Sequence, residues 1–239
     1  MDDTLIVNKI LYEYAKAQLY GYLRHYGLLQ ADIQPVLENI DKENFKTFGY
    51  SRQRFPDSFE KVLKHFVPEA DAEASAIVRD FAETVFKTNA AVKPGILEAV
   101  DMLSAHYPVY IVTQGDRSVQ ESRLKQLPFK DKLSDMFIVD KKDKETYTDI
   151  AKKLGFKPEE VIMMGDSLRS DIVPSVEAGM QAVWIEADNW SLEAVASVPK
   201  ERMYKFPTLL EAARQIVTEG TLAVHAPAPR KKLPKFKLG

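Results

Sequence analysis

The sequence predicts an α/β protein in which a parallel sheet with crossover helices is interrupted by an inserted, all-helical segment. Three observations predict it. The second half alternates short apolar runs with stretches of helical spacing, whereas the stretch from about Asn8 to Ala90 shows helical spacing and no convincing strand. The composition, 45% hydrophobic and 28% charged over 239 residues, is that of an ordinary globular chain. Such a length suits one large domain or one domain carrying an insertion.

Taken in order, the chain opens with Met1-Asp2-Asp3-Thr4-Leu5 and turns helical at about residue 9. Leu11, Tyr14, Ala15, Leu19, Tyr22 and Leu23 recur at the period of an amphipathic helix. Further helices are expected over Phe59–Phe66 and Ala72–Phe86, and the aromatic stripe Tyr14, Tyr20, Tyr22 and Tyr26 reads as packing. Lys93-Pro94-Gly95 punctuates the return to the alternating region. There Val109–Val112, Met136–Val139, Val161–Met164 and Ala182–Ile185 read as strands covered on both faces, because their apolar residues run without alternation. Between them, Ile96, Leu97, Val100 and Leu103 mark one helix, and Tyr147, Ile150, Ala151 and Leu154 another that Gly155 closes. A short strand at Met203–Phe206 precedes a last helix from about Thr208 to Val217. The expected division is a core of residues 1–8 and 91–222, a helical insertion over 9–90, and a Pro- and Lys-rich tail over 223–239.

Composition also excludes. With no cysteine, disulfides, thiolate nucleophiles and Cys-ligated metals are ruled out, so any metal must sit on oxygen or imidazole. The four histidines are dispersed along the chain, which argues against imidazole. The start has neither a basic nor an apolar leader segment, and no run of apolar residues is long enough to span a bilayer. A cytoplasmic protein without a membrane partner is the expectation. Five basic residues and no acidic ones lie in Ala223–Gly239, so the rest of the chain carries 28 basic against 35 acidic side chains. An acidic body does not predict nucleic-acid binding.

Chemistry on a parallel sheet gathers at the carboxyl ends of its strands. After Val109–Val112 come Thr113-Gln114-Gly115-Asp116; after Met136–Val139 come Asp140-Lys141-Lys142-Asp143-Lys144; after Val161–Met164 come Gly165-Asp166-Ser167-Leu168-Arg169-Ser170-Asp171. A hydroxyl, a lysine and a pair of carboxylates thus converge on one rim. The combination suits a phosphoryl group with a hard cation, with carboxylates on Mg²⁺ and hydroxyl, N–H and ammonium groups around the phosphate oxygens. A bland alternative exists for each part: Thr113 merely ends a strand, Ser167 or Ser170 caps a helix, and Asp171 answers its macrodipole. Lys141, Lys142 and Lys144 compete for the lysine's role. Arg52 and Arg54, in Ser51-Arg52-Gln53-Arg54-Phe55-Pro56, are candidates for gripping an anionic substrate or are solvated helix charges.

In these motifs the chain resembles the haloacid dehalogenase superfamily of phosphohydrolases, over nearly all of residues 1–215. The resemblance comprises the Asp-Asp-Thr-Leu start, a helical cap inserted after it, Thr113 ending a strand, a lysine before a helix, and Gly165-Asp166 with Asp171. It implies a Rossmann-like core and a first motif of the form Asp-x-Asp-x-Thr. The first aspartate of that motif is a nucleophile that forms an aspartyl-phosphate, and the second is the acid/base. It further implies that Thr113 and a lysine, by family spacing Lys142, stabilise the phosphoryl oxygens, and that Asp166, Asp171 and the backbone carbonyl of Asp2 serve Mg²⁺. Thr4, Gln114 and Gly115 join the substrate-binding candidates.

One departure matters. Thr4 and Leu5 fix the register so that Asp2 matches the acid/base aspartate, and the nucleophile falls immediately before Met1. The strand that precedes the motif in the family, central in its sheet, is likewise missing from the sequence. Burying its apolar side chains would be worth on the order of 10 kcal/mol, comparable with the total stability of a domain. The expectation is therefore a Mg²⁺-dependent hydrolase of a small phosphorylated metabolite whose chain, as written, is inactive and lacks its natural start. Two rivals stand beside it: a non-catalytic protein binding a phosphorylated ligand, and a dehalogenase. Asp2 disfavours the latter, since that branch does not keep an aspartate at the acid/base position. Oligomeric state is left open.

Overall fold

A computed structural model describes residues 1–186 and 202–219. The expected basic tail and Trp190 lie outside the described residues. The chain divides into two compact units. One comprises Met1–Ile6, Val92–Gln114 and the residues from Leu127 onward; the other comprises Val7–Ala91 together with Gly115–Gln126.

The second unit is helical. Its main elements are α1 (Lys9–Leu23), α2 (Gln30–Phe48), α3 (Arg54–Phe66) and α4 (Ala72–Lys87). Ala15, Leu19 and Leu23 of α1 are buried against Ile33 and Leu37 of α2, Phe59, Val62 and Leu63 of α3, and Val78, Ala82 and Val85 of α4. The spacing of these positions by three and four residues puts them on one face of each helix, which is why the segment forms its own core. Asp71 starts α4 by accepting the Ala74 N–H at 2.8 Å. Two aromatic positions differ from expectation: Tyr14 and Tyr26 are exposed, at 61% and 47%, since the buried stripe of α1 runs through Ala15, Leu19 and Leu23. The amphipathic α2 carries Pro35 inside the helix, where it removes one i→i−4 hydrogen bond.

The first unit is the α/β core. Its elements, with α6 (Arg117–Gln126) lying in the other unit, are α5 (Ile96–His106), β1 (Tyr110–Gln114), β2 (Asp135–Val139), α7 (Lys144–Leu154), β3 (Ile162–Gly165), α8 (Val173–Glu177), β4 (Gln181–Ile185), β5 (Met203–Phe206) and α9 (Leu209–Arg214). All strand pairings are parallel, as the apolar runs predict. They form two ladders among the described residues, β1–β2 and β3–β4–β5, and not one sheet. α5 buries Ile96, Ala99, Val100 and Leu103, but Leu97 faces outward, half exposed. Gly155 ends α7 in the left-handed region (φ 73°), its N–H returning to Ala151 and Lys152.

The start of the chain is stitched to this core. Residues 2–6 form a tight turn with bonds from Thr4 N–H to Asp2 O (2.7 Å), Leu5 N–H to Met1 O (2.9 Å) and Asp3 N–H to Ile6 O (2.9 Å). Ile6 bridges Val92, and the Lys93 N–H donates to Leu5 O at 2.9 Å. Asp3 adopts a positive φ of 54°, and the Lys93 ammonium holds its carbonyl at 2.7 Å.

Candidate active site

The carboxyl ends of the two ladders are joined by side chains. Lys142 follows β2 and stands just before α7, whose N-terminus is fixed by Asp143 accepting the Thr146 N–H at 2.9 Å. From there its ammonium reaches Asp171 Oδ1 at 2.7 Å, with only 9% and 4% of the two side chains exposed. Asp171 sits in a π-helical turn, Leu168–Ile172, that begins where Ser167 accepts the Ser170 N–H. The sequence reading of Ser167 as a cap therefore holds alongside any chemical role of its neighbours.

Gly165 explains how Asp171 comes so close to the end of β3. A Cβ at residue 165 would lie 2.3 Å from Asp171 Oδ2 and 2.6 Å from its Cβ, so no side chain fits there. The Ser167 N–H adds a bond to Asp171 Oδ2 at 3.2 Å, and the Tyr147 hydroxyl holds the same turn through Ser170 O at 2.8 Å. Asp166 is held from two sides. The Thr4 hydroxyl donates to its Oδ1, and the Trp184 indole N–H donates to its backbone carbonyl at 2.9 Å.

Electrostatics bind these groups into one cluster. Burial pushes the Asp166 carboxyl above the usual carboxylate range, the Asp171 charge adds to the shift, and the Thr4 bond opposes it. Burial works against the Lys142 ammonium, yet the charge and hydrogen bond of Asp171, with Asp166 and Asp2 behind them, outweigh it and raise its pKa above the ordinary lysine value. The amino group of Met1 is buried in the same field. Burial first and the Lys142 charge second pull its pKa down, while Asp2, Asp171 and Asp166 push it up. Asp2, Asp166, Asp171, Lys142, Thr4 and the first residue thus share one small volume of low dielectric.

The remaining predicted residues are placed as follows. Thr113 is buried near the end of β1, and its neighbour Gln114 donates to Asp140 O at 2.6 Å, tying the loops after β1 and β2 together. Gly115 (φ 137°) belongs to the helical unit, packed against the Gln120 side chain. Arg52 and Arg54 lie in that unit and are engaged within it. Arg52 bonds Glu83 through two nitrogens (3.1 and 2.5 Å) and lies over the Phe86 ring; Arg54 pairs with Asp41 at 3.3 Å and lies over Phe45. Asp116, in the same unit, is held below the usual carboxylate range by the Ser118 hydroxyl and two backbone N–H bonds, with a contribution from Arg52.

Two supporting groups escaped the sequence reading. Nothing local to the strand that carries Trp184 signals that its N–H reaches Asp166, and the bond of Lys93 to Asp3 spans 90 positions. The oxygen donors in reach of a cation are the Asp166 carboxylate and its neighbours. No three Asp, Glu, His or Cys side chains stand together as a ready metal cluster among the described residues.

The chain is similar to known proteins. The sequence pattern of the family described as "Hydrolase: haloacid dehalogenase-like hydrolase" matches residues 1–179. The chain is 25% identical over 226 residues to the pyrimidine 5′-nucleotidase PynA of Streptococcus pneumoniae, covering 91% of this chain and 90% of that protein. It is 28% identical over 193 residues to the glyceraldehyde 3-phosphate phosphatase of Pyrococcus furiosus, covering 78% of each. Among solved structures, a haloacid dehalogenase-like hydrolase from Xanthomonas campestris superposes with a TM-score of 0.76 at 25% identity, over 92% of this chain and 89% of the other. With three quarters of its length on the family pattern, and an α/β core and helical insertion like those of a solved relative, the chain belongs to the haloacid dehalogenase-like hydrolases.

Proposed function

We propose that this protein is a Mg²⁺-dependent phosphohydrolase acting on a small phosphomonoester. The observation that carries the proposal is the buried cluster at the carboxyl ends of β2 and β3, in which one ammonium, one hydroxyl and three carboxylates share a desolvated volume. The names of the relatives, one a pyrimidine 5′-nucleotidase and one a glyceraldehyde 3-phosphate phosphatase, support a phosphorylated metabolite as substrate.

The donor set fits Mg²⁺. This ion keeps several waters and takes one or two carboxylates, so a ready cluster of three is not required. Asp166, crowded by Asp171 and raised in pKa by burial, gains from a cation beside it. When bound, Mg²⁺ supplies Lewis-acid polarisation of phosphoryl oxygens. Asp166 would hold it directly, Asp171 directly or through water, and the Asp2 carbonyl from the turn.

The residues of the chain then divide the work. Lys142, kept charged by Asp171, offsets negative charge on the transferring phosphoryl group, and Thr113 adds a hydroxyl donor. Asp2 delivers a proton to the departing ester oxygen and later takes one from the water that releases the phosphoryl group. Thr4 holds Asp166, and Trp184 and Lys93 position the two loops that carry the carboxylates. Gln114 and Gly115 fall to substrate contacts. Binding of an anion by Arg52 or Arg54 requires them to leave Glu83 and Asp41.

The test compares hydrolysis of an aryl phosphate with Mg²⁺ by the chain as written and by one extended upstream with an apolar run ending in aspartate. Turnover by the extended chain, lost on Lys142→Met and Asp166→Asn, is the expected result. An extended chain that is folded and inert toward a panel of phosphomonoesters would overturn the proposal. Saturable phosphate binding by that inert protein would instead favour the binding-protein reading.

A further inference from the structure

The outer face of α1 is apolar, although no described residue covers it. Ile10, Tyr14, Ala17 and Gly21 follow one another at intervals of four, three and four residues, which puts them on one stripe, opposite the buried Ala15, Leu19 and Leu23. Ile10 and Tyr14 are 62% and 61% exposed, and Tyr26 and Leu29, just beyond the end of the helix, are exposed as well. Single surface hydrophobics are ordinary, but large ones gathered along and beyond one helix mark a contact surface.

Gly21 adds a separate observation. Glycine weakens the interior of a helix relative to alanine. A Cβ at Gly21 would meet nothing within 4 Å, so no contact inside the chain requires its absence. Together with Ala17, one turn earlier, it makes a flat half of the stripe where another backbone can approach closely, beside the bulky half formed by Ile10 and Tyr14. Charge is divided in the same way. Glu13, exposed and bonded to Lys16 at 2.9 Å, flanks the bulky half, and the exposed Arg24 continues that flank past the flat half.

A face that is bulky and acidic at one end and flat and basic at the other complements itself once turned round. Two antiparallel copies of α1 about a two-fold axis set Ala17 of each against Gly21 of the other. Tyr14 then lies over the copy's Arg24 with Glu13 beside it, and Ile10 reaches the copy's Tyr26 and Leu29. Parallel packing would set Glu13 against Glu13 and Tyr14 against Tyr14, holding the flat halves apart. We propose that this protein self-associates through α1, a second copy of the chain covering the stripe in the antiparallel sense.

One helix pair lies at the small end of interface sizes, so a dissociation constant of about 10–500 µM is expected. Sedimentation velocity of the full chain across that range should show a concentration-dependent dimer. Gly21→Leu should abolish it while unfolding at no lower urea midpoint than the parent, since leucine is the better helix former and its Cβ meets no neighbour. Charge reversal tests the arrangement. Glu13→Lys and Arg24→Glu should each weaken association at least about threefold at low salt. An equimolar mixture of these two variants should associate as well as the parent, because the mixed dimer pairs Lys with Glu on one side and Glu13 with Arg24 on the other. A chain that stays monomeric to about 1 mM would overturn the proposal, that limit lying well above the expected range. So would a dimer that survives Gly21→Leu, or a mixture that associates no better than either variant alone.

Discussion

The Lys142–Asp171 pair is the residue-scale feature on which the site depends. Both side chains are almost fully buried, and Asp171 holds the Lys142 ammonium in its charged form. Removing one partner of such a pair strands a charge, which typically costs about 3–5 kcal/mol, whereas replacing both often costs little. Lys142→Met is therefore expected to destabilise the protein strongly, and adding Asp171→Leu to recover much of the loss; urea unfolding of the two single variants and the double variant checks this. Gly165 makes a second prediction. Its missing Cβ is the space occupied by the Asp171 side chain, which Lys142 and Ser167 hold in place. Gly165→Ala should cost more than about 2 kcal/mol, an overpacking effect much larger than an ordinary surface substitution. A melting curve indistinguishable from that of the parent would show that the turn after β3 yields. The sequence made Gly165, Asp166 and Asp171 legible because a glycine-acid pair after an apolar run is a local pattern. It left Trp184 and Lys93 illegible as supporting groups, because each reaches its target through space from an element with no local peculiarity.

At the scale of elements, the helices of the second unit were legible where the apolar spacing was strong, and α1, α3 and α4 follow it. α2 and α6 went unnamed, and α6 is the clearer lesson: Arg117–Gln126 is mostly polar, so its helix shows little periodicity although Val119 and Gln120 are buried. The four strands of the first alternating stretch match their apolar runs to within one or two residues. α1 also carries a pH prediction. Burial, aided by Glu13 and Glu38, pushes the Tyr20 phenol up to about 12. An unfolded tyrosine ionises near 10. Between those values the folded state binds the extra proton, so stability falls as pH rises from about 10 towards 12. In denaturant titrations over pH 9 to 11.5, the parent should lose stability more steeply than Tyr20→Phe, with no divergence below about pH 9.5. Parallel curves throughout would mean that Tyr20 is not protected from ionisation.

For the molecule as a whole, the cation proposal has a consequence that needs no turnover. A ligand that binds only the folded state stabilises it by an amount set by its concentration over Kd, about 1.4 kcal/mol at a tenfold excess. For a chain of this size that corresponds to a rise in Tm of a few degrees, roughly 2–4 °C per kcal/mol. Mg²⁺ is expected to raise Tm relative to chelator, and Asp166→Asn to abolish the shift while Lys153→Ala, away from the cluster, keeps it. Equal melting with Mg²⁺ and chelator would remove the metal from the proposal. The second unit takes in Val7–Ala91 and also Gly115–Gln126, and the latter grouping has no counterpart in the sequence pattern.

By itself the sequence determined the class of fold, the order of its strands, the absence of thiol chemistry and the identity of the polar residues at the strand ends. Those properties depend on local spacing and residue type, which the chain carries in one dimension. Only the tertiary structure decided which of these residues meet. The contact of Lys142 with Asp171, the engagement of Arg52 and Arg54 within the helical unit, and the division of the strands into two ladders all depend on groups far apart in the chain competing for the same buried volume, and that competition is settled by packing and charge.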